Sequence, residues 1–493
     1  MKRYILSLDC GTTGNRALIF DQNQSIVATS YREFTQIYPK SGWVEHDASE
    51  IWSSVQTVLK EVLRKVPASQ IHALGITNQR ETIVIWDRNS GKPVHNAIVW
   101  QCRRTTAICD HLKKQGHEKE IHHKTGLFLD PYFSATKIQW LMQHYPAIKK
   151  GLQTGRLLCG TIDTWIIWNL SGRQAFTTDP TNASRTLLYN IRTHKWDRDL
   201  AALFKVPLRA LPKILPSASI HGHTDPRICE ARIPIAGVAG DQQAAAFAQG
   251  CSPQGVIKNT YGTGLFVVVD IGNKLKISPR LITTMAASDK PSPCYALEGS
   301  VFIGGAAIQW LRDGLKMIKK ASESETIVRT LKSNDGVYFV PALSGLGCPY
   351  WNPHARGIIS GLTRQTTSAH LVRAALESLA YQTNDVIEVV KKETRLKIKR
   401  LQVDGGAVQN NWLLQFQADI LRCEVERPRI IETTALGAAA LAGITTGIWK
   451  NQKHFLSHRK TDRLFKPKMS LKEREHLLQG WTQAIRQVLV AIS

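Results

Sequence analysis

Residues 4–21, YILSLDCGTTGNRALIFD, constrain this chain more than any other stretch. Ile5, Leu6 and Leu8 form an apolar run with strand character. Gly11, Thr12, Thr13 and Gly14 supply turn chemistry, and Ala17 to Phe20 restart a strand. A Gly/Thr turn bares backbone N–H groups and hydroxyls, the donors a polyphosphate needs. Asp9 stands at the end of the first strand, where its carboxylate suits a magnesium ion beside those phosphates. Taken alone, the segment is equally an ordinary hairpin on an N-terminal edge strand.

The pattern recurs at residues 255–270, GVIKNTYGTGLFVVVD: apolar strand, Thr-Tyr-Gly-Thr-Gly turn, apolar strand. Thr260 falls about where Asp9 stands, so the first turn suits metal and phosphate and the second phosphate only. Two such hairpins, one in each half, suggest related domains facing each other across a nucleotide. A chain of 493 residues is too long for one ordinary core. The boundary is expected just after the Ala-rich segment that follows Asp241, near Gly250, which gives domains of 1–250 and 251–493.

Composition closes off several classes. Hydrophobic residues at 43% and charged residues at 21% are ordinary for a soluble globular protein. The longest apolar run, ALGAAALAGI from 435, is about half a membrane span, so no stable membrane insertion is expected. Asp9 cuts the first apolar run short, which argues against a signal peptide. Nine cysteines without a CxxC pair fit free thiols in a reducing, cytoplasmic compartment. His122–His123 and His221–His223 lack a second ligand cluster and are expected on the surface. The net charge of +25 raises nucleic-acid binding, but the basic residues are dispersed and no nucleic-acid motif accompanies them.

Along the chain, strands alternate with helices, the signature of α/β architecture. A capping box of Asp47 and Glu50 opens a helix with Ile51, Val55, Leu59 and Val62 on one face, ended by Pro67. Strands are expected at Ile71–Ile76 and Ile83–Trp86, and before the Gly turn at 240. A helix start at Gly304–Gly305, a helix through Leu371, Val372, Ala375 and Leu379, and a strand ending in DGGAVQNN follow in the second half. The Ala/Gly-rich helix near Ala435–Ala442 can pack very close to a neighbouring backbone.

Neither a GxxxxGK[ST] loop, a GxGxxG fingerprint nor a GxSxG elbow is present. What remains is Gly/Thr turns and strand-end acids in both halves, and phosphoryl transfer needs little more: phosphate donors, a metal and a base. Asp9 suits the metal and Asp241 the base, although Asp241 also reads as a plain helix cap. Arg80 donates and Glu81 accepts, as a small polyol requires, unless they form a solvated ion pair. Trp100 and Tyr132 suit an apolar wall or the core.

The stretches GITNQRET (75–82), IVWQCRRT (98–105), DPYFSATKIQW (130–140), TNASRT (181–186), GDQQAA (240–245), NTYGTG (259–264), VDGGAVQNN (403–411) and TALGAA (434–439) resemble, in order, the FGGY carbohydrate kinase family of the actin-like ATPase superfamily. TNQRET, WQCRRT and GDQQAA are similar to its glycerol-phosphorylating members in particular. The resemblance implies two actin-like, ribonuclease-H-like α/β domains flanking a nucleotide cleft, and ATP-dependent phosphorylation of glycerol as the first step of its catabolism. It implies Arg80, Glu81, Tyr132 and Asp241 on the glycerol hydroxyls, supported by Gln242, with Trp100 and Phe266 on the carbon chain. Thr12, Thr13, Arg16 and Thr263 would hold phosphates, and Gly305, Gln309, Gly406, Ala407 and Asn410 would surround the adenosine. Asp9 and Asp241 would approach Mg2+ through water, and a homodimer or tetramer is implied. Two departures stand out. Gly14-Asn15 replaces a small hydroxyl pair, and GHTDPRICEAR (222–232) lacks the Gly-rich loop of members inhibited by fructose bisphosphate.

Overall fold

A computed structural model describes residues 3–352 and 354–490. Its frame is a pair of mixed sheets built on one plan. The first sheet uses β1 (Tyr4–Cys10), β2 (Gly14–Phe20), β3 (Ile26–Glu33), β4 (Ile71–Asn78), β5 (Gly222–His223) and β6 (Pro234–Gly240). Their spatial order is β5-β6-β4-β1-β2-β3. The second uses β7 (Val256–Tyr261), β8 (Leu265–Gly272), β9 (Ile282–Met285), β10 (Tyr295–Val301), β11 (Arg400–Asp404), β12 (Glu424–Pro428) and β13 (Thr461–Phe465), in the order β9-β10-β8-β7-β11-β12-β13. In each sheet a central antiparallel hairpin, β1–β2 or β7–β8, is flanked by parallel strands on the side of its first strand. An antiparallel edge strand ends each parallel side.

The expected helices form, with instructive differences at their ends. Helix α1 (Ala48–Leu63) buries Ile51, Val55, Leu59 and Val62 against Leu6 and Leu8 of β1. Asp47 caps it by accepting from the Ser49 N–H at 2.7 Å. Glu50 does not complete a capping box. Its carboxylate instead accepts from the Thr35 N–H and hydroxyl, each at 3.0 Å, because the segment after β3 brings those donors within reach. The helix stops four residues short of Pro67, which begins the short 3-10 turn leading into β4. Asn15 explains one departure: its amide donates to Ile51 O at 3.1 Å and Ser54 Oγ at 2.5 Å, tying the first hairpin to α1.

Between the sheets lie α2 (Asp241–Ala248) and α5 (Thr433–Thr445), whereas α3 (Gly305–Asp313) and α4 (Ser368–Thr394) pack with elements of the second half. The long α4 supplies Val372, Leu379 and Val386 to the core beneath the second sheet. Helix α5 crosses over: it belongs to the second half of the chain but packs on the first sheet. Ser7 of β1 donates to Ala435 O at 2.7 Å, and a Cβ at Gly75 of β4 would sit 2.2 Å from Ala438 O. On its other flank a Cβ at Gly437 would lie 1.9 Å from Ala244 O of α2. Backbones this close leave no room for larger side chains, which is why the helix carries Gly437 and Ala438 at these contacts.

The nine cysteines are free, and eight are buried. Among the described residues no helix is long and apolar enough to cross a membrane, and ALGAAALAGI is the buried α5. His221 departs from its surface assignment. It is 2% exposed, its Nε2 lies 3.0 Å from Pro216 O, and burial holds it at about 4, hence neutral.

Candidate active site

Three parallel strands decide where the acids meet. In the β6-β4-β1 register, Cys10 pairs with Asn78 and Asn78 with Gly240, so the three C-terminal ends are level. Asp9 is the penultimate residue of β1, Arg80 and Glu81 follow β4, and Asp241 opens α2 directly after β6. Ligands in α/β sheets bind at such a carboxyl edge. Asp241 does not cap its helix: Gly240 occupies that position. Its Oδ1 accepts instead from the Gln242 N–H at 2.7 Å and pairs with Arg80 Nε at 3.1 Å. Its Oδ2 takes no hydrogen bond from the described residues, and the side chain is 31% exposed.

Behind this open carboxylate lies a buried ring of alternating charge. Arg80 sets both fork nitrogens on Glu298 of β10, Nη2 reaching Oε1 at 3.2 Å and Nη1 reaching Oε2. Arg185 donates from Nη2 to the same Glu298 Oε1 at 3.1 Å and from Nε to Glu81 Oε1 at 2.5 Å. Glu81 Oε1 returns to Arg80 Nε at 4.0 Å and closes the ring. Burial alone would raise the Glu298 carboxyl, but Arg185 and Arg80 overcome it and hold the group at about 2. Isolated, any of these charges would be costly to bury; paired in a ring they are tolerated and rigid.

The wall over the ring is aromatic. Trp100 meets Tyr132 edge-on at 5.6 Å between centroids and Phe266 of β8 at 6.5 Å, and the Arg185 guanidinium lies 5.4 Å from the Tyr132 ring. Lys137 fastens the loop that presents Tyr132: its Nζ donates to Pro131 O and Tyr132 O at 2.6 Å and to Phe133 O at 3.1 Å. Trp100 Nε1 donates to Thr12 Oγ1 at 3.0 Å and so joins the aromatic wall to the first hairpin turn.

Asp9 takes no hydrogen bond from the described residues. Burial, then the charge of Asp241, raises its carboxyl to about 7. Thr13 is exposed at the tip with its hydroxyl 3.4 Å from Tyr31 OH, whereas Arg16 is paired with Glu432. In the second hairpin Thr263 is exposed at the turn, and its carbonyl accepts from the N–H groups of Gly304 and Ala306 at 2.8 and 3.1 Å. The start of α3 at Gly305 thus packs on this tip, its N–H 2.8 Å from Gly262 O. Gly405, at φ +93°, brings the following turn against Tyr261 O, so Gly406 and Ala407 flank the same tip. Asn410 caps the next helix through Leu413 N at 2.9 Å, and Gln309 is exposed on α3.

Two residues at the centre of the ring escaped the sequence reading. Arg185 lay inside TNASRT without a role, and Glu298 stood alone in an apolar strand, YALEGSV, where a buried acid is itself a signal. The two glutamines also divide differently. Gln242 Oε1 accepts from the buried Lys258 at 2.5 Å, and it is Gln243 Oε1 that lies 3.3 Å from Arg80 Nη1. Among the described residues no group of three or more His, Cys, Asp or Glu forms a metal cage.

With this geometry in view, two family models match the chain: the FGGY family of carbohydrate kinases, N-terminal domain, at residues 4–248, and its C-terminal domain at residues 257–446. The chain is 52% identical to a glycerol kinase of Petrotoga mobilis over 99% of its own length and 98% of the relative's. It is 51% identical to glycerol kinase 2 of Thermotoga maritima over 99% of each. Among solved structures, the glycerol kinase of Plasmodium falciparum with ADP superposes with a TM-score of 0.92 at 36% identity, over 99% of this chain and 98% of that one. With both halves matched in order and relatives this similar along the whole length, the chain belongs to the FGGY family of carbohydrate kinases.

Proposed function

We propose that this protein transfers the γ-phosphoryl group of ATP to a terminal hydroxyl of glycerol, releasing glycerol 3-phosphate and ADP. The observation that carries the reading is the open Asp241 carboxylate at the strand edge, with the Arg80–Glu81 pair and the Trp100–Tyr132–Phe266 wall beside it. A three-carbon polyol needs that combination: charged partners for its hydroxyls and an apolar surface for its chain. The 52% identity to a glycerol kinase over nearly the full length supports the same substrate.

Arg80, Glu81, Tyr132 and Asp241 bind the hydroxyls, and Trp100 and Phe266 contact the carbons. Asp241 takes the proton of the attacking hydroxyl as its oxygen bonds to the γ-phosphorus and the bond to the ADP oxygen breaks. Thr12, Thr13 and Thr263 hold phosphates, as does Arg16 once it leaves Glu432, while Gly305, Gln309, Gly406, Ala407 and Asn410 surround the adenosine. Gln242 supports the glycerol-binding residues, its Oε1 held by Lys258. The chain divides near Gly250, residues 1–250 carrying the polyol and the base and residues 251–493 the adenosine. The enzyme works as a homo-oligomer in the cytoplasm.

A kinase of this family uses a divalent cation, here Mg2+. The donors fit: the Asp9 carboxylate and Asp241 Oδ2 accept no hydrogen bond from the described residues, and magnesium takes one or two carboxylates with water and phosphate oxygens. When bound, the ion neutralises charge on the phosphate oxygens.

The test is ADP release by the purified protein across a panel of polyols. Strong stimulation by glycerol is expected, and stimulation by a pentulose alone overturns the substrate.

A further inference from the structure

The ring behind the active site contains a residue whose position is unusual for its role. Glu298 comes from β10 of the second sheet, yet both its oxygens are spent on arginines of the first half, Arg80 and Arg185. It is wholly buried, as is Arg185. The consequence lies at Asp241. A guanidinium carries five N–H groups and can take a carboxylate bidentately through its Nη1/Nη2 end or its Nε/Nη2 edge. Glu298 holds the Nη1/Nη2 end of Arg80 and so fixes the plane of the guanidinium, which meets Asp241 with Nε 3.1 Å from Oδ1. Oδ2 is left without a partner among the described residues.

We propose that Glu298, braced by Arg185, is a positioning residue: from the second sheet it grips the Nη1/Nη2 end of Arg80, fixes the orientation of the guanidinium beside Asp241, and so keeps Asp241 Oδ2 unpaired for the acceptor hydroxyl. The inference rests on Asp241 being the base. Arg185 sets the reach of Glu298 by holding Oε1 on one side while its own Nε holds Glu81 on the other. The acceptor site of the first half is therefore completed by a carboxylate of the second.

Steady-state kinetics of Glu298→Gln, with glycerol and ATP varied separately, test this. Loosening this grip frees the Arg80 guanidinium to turn and take both Asp241 oxygens. The expected result is a fall of about a hundredfold in kcat/KM for glycerol, the scale of a small misplacement at a reacting centre, with KM for ATP unchanged. The rise in melting temperature caused by ADP should persist. If kcat and the glycerol KM stay at wild-type values, or if the KM for ATP rises together with that for glycerol, Glu298 does not position the base. Should Glu298→Gln fail to fold, Glu298→Gln/Arg185→Met restores charge balance in the ring but not the grip on Arg80, and the same two readouts decide. Asp241→Asn keeps the two readings apart. An active Asp241→Asn removes the base itself, whereas an inactive Asp241→Asn beside a fully active Glu298→Gln overturns only the positioning role.

Discussion

The two central hairpins occupy the same place in their sheets and use it in opposite ways. Asp9 on β1 pairs across the parallel ladder with Thr77 on β4, whereas Thr260 on β7 pairs with Asp404 on β11. Each position therefore holds one carboxylate and one threonine, with the strands exchanged. Across the hairpin, Asp9 faces Arg16, but Thr260 faces Phe266, which belongs to the aromatic wall. The carboxylates differ more than their positions do. Asp404 is 3% exposed and collects the Thr260 hydroxyl, the Thr433 hydroxyl and, at 2.6 Å, the Gln249 amide. The Asp9 carboxylate collects none among the described residues, and the charge of Asp241 weighs on it more than that of Arg16. A satisfied carboxylate stabilises a fold; an unsatisfied one is available to a ligand.

Exchanging the two kinds of carboxylate should separate activity from stability. The largest effect is expected where the open acid does chemistry: Asp241→Asn should lower kcat by about a hundred- to ten-thousandfold while glycerol KM changes little, as read by ADP release. Asp404→Ala should do the reverse. It strands three donors, two of them buried at about 1–3 kcal/mol each when unsatisfied, so the urea midpoint should drop sharply. Asp9→Asn sharpens the contrast, because removing one of two repelling acids should leave the midpoint in EDTA unchanged or higher while weakening the magnesium dependence of turnover. A raised midpoint for Asp404→Ala, or a collapsed one for Asp9→Asn, would break the comparison.

The smallest effect is a matter of pH. Glu298, another buried acid of the second sheet, is held at about 2, below its ordinary 4.5. A carboxyl depressed on folding contributes stability above its unfolded value and loses it as pH falls through the folded one. The protein should therefore lose stability between about pH 4.5 and pH 2, and Glu298→Gln should remove that part of the slope in acid unfolding curves.

Much of this was legible beforehand because it depends on short-range pattern. Alternation and Gly/Thr punctuation locate β1, β2, β7 and β8, and the equivalence of Asp9 and Thr260 follows from aligning the two turns. The close packing of α5 is written in its lack of side chains. The misreadings share one cause, a partner distant in sequence. Glu50 is claimed by Thr35, and the backbone at His221 is held by Thr177 and Ile235, which buries it. Thr260 looked like the loss of a carboxylate, yet the acid stands one strand away at Asp404.

The sequence alone determined the repeated hairpins, the acids at their edges and the family to which such motifs belong, because each rests on neighbouring residues and the period of a strand or a helix. Tertiary structure alone decided which acids are free. Asp9 and Asp241 are open, while Asp404 and Glu298 are consumed, and nothing local distinguishes the four. The difference arises when β10 brings Glu298 to Arg80 and when α5 carries Thr433 to Asp404, contacts that span 218 and 29 residues of chain. Whether a carboxylate ends as ligand or as mortar depends on the donors that folding delivers to it.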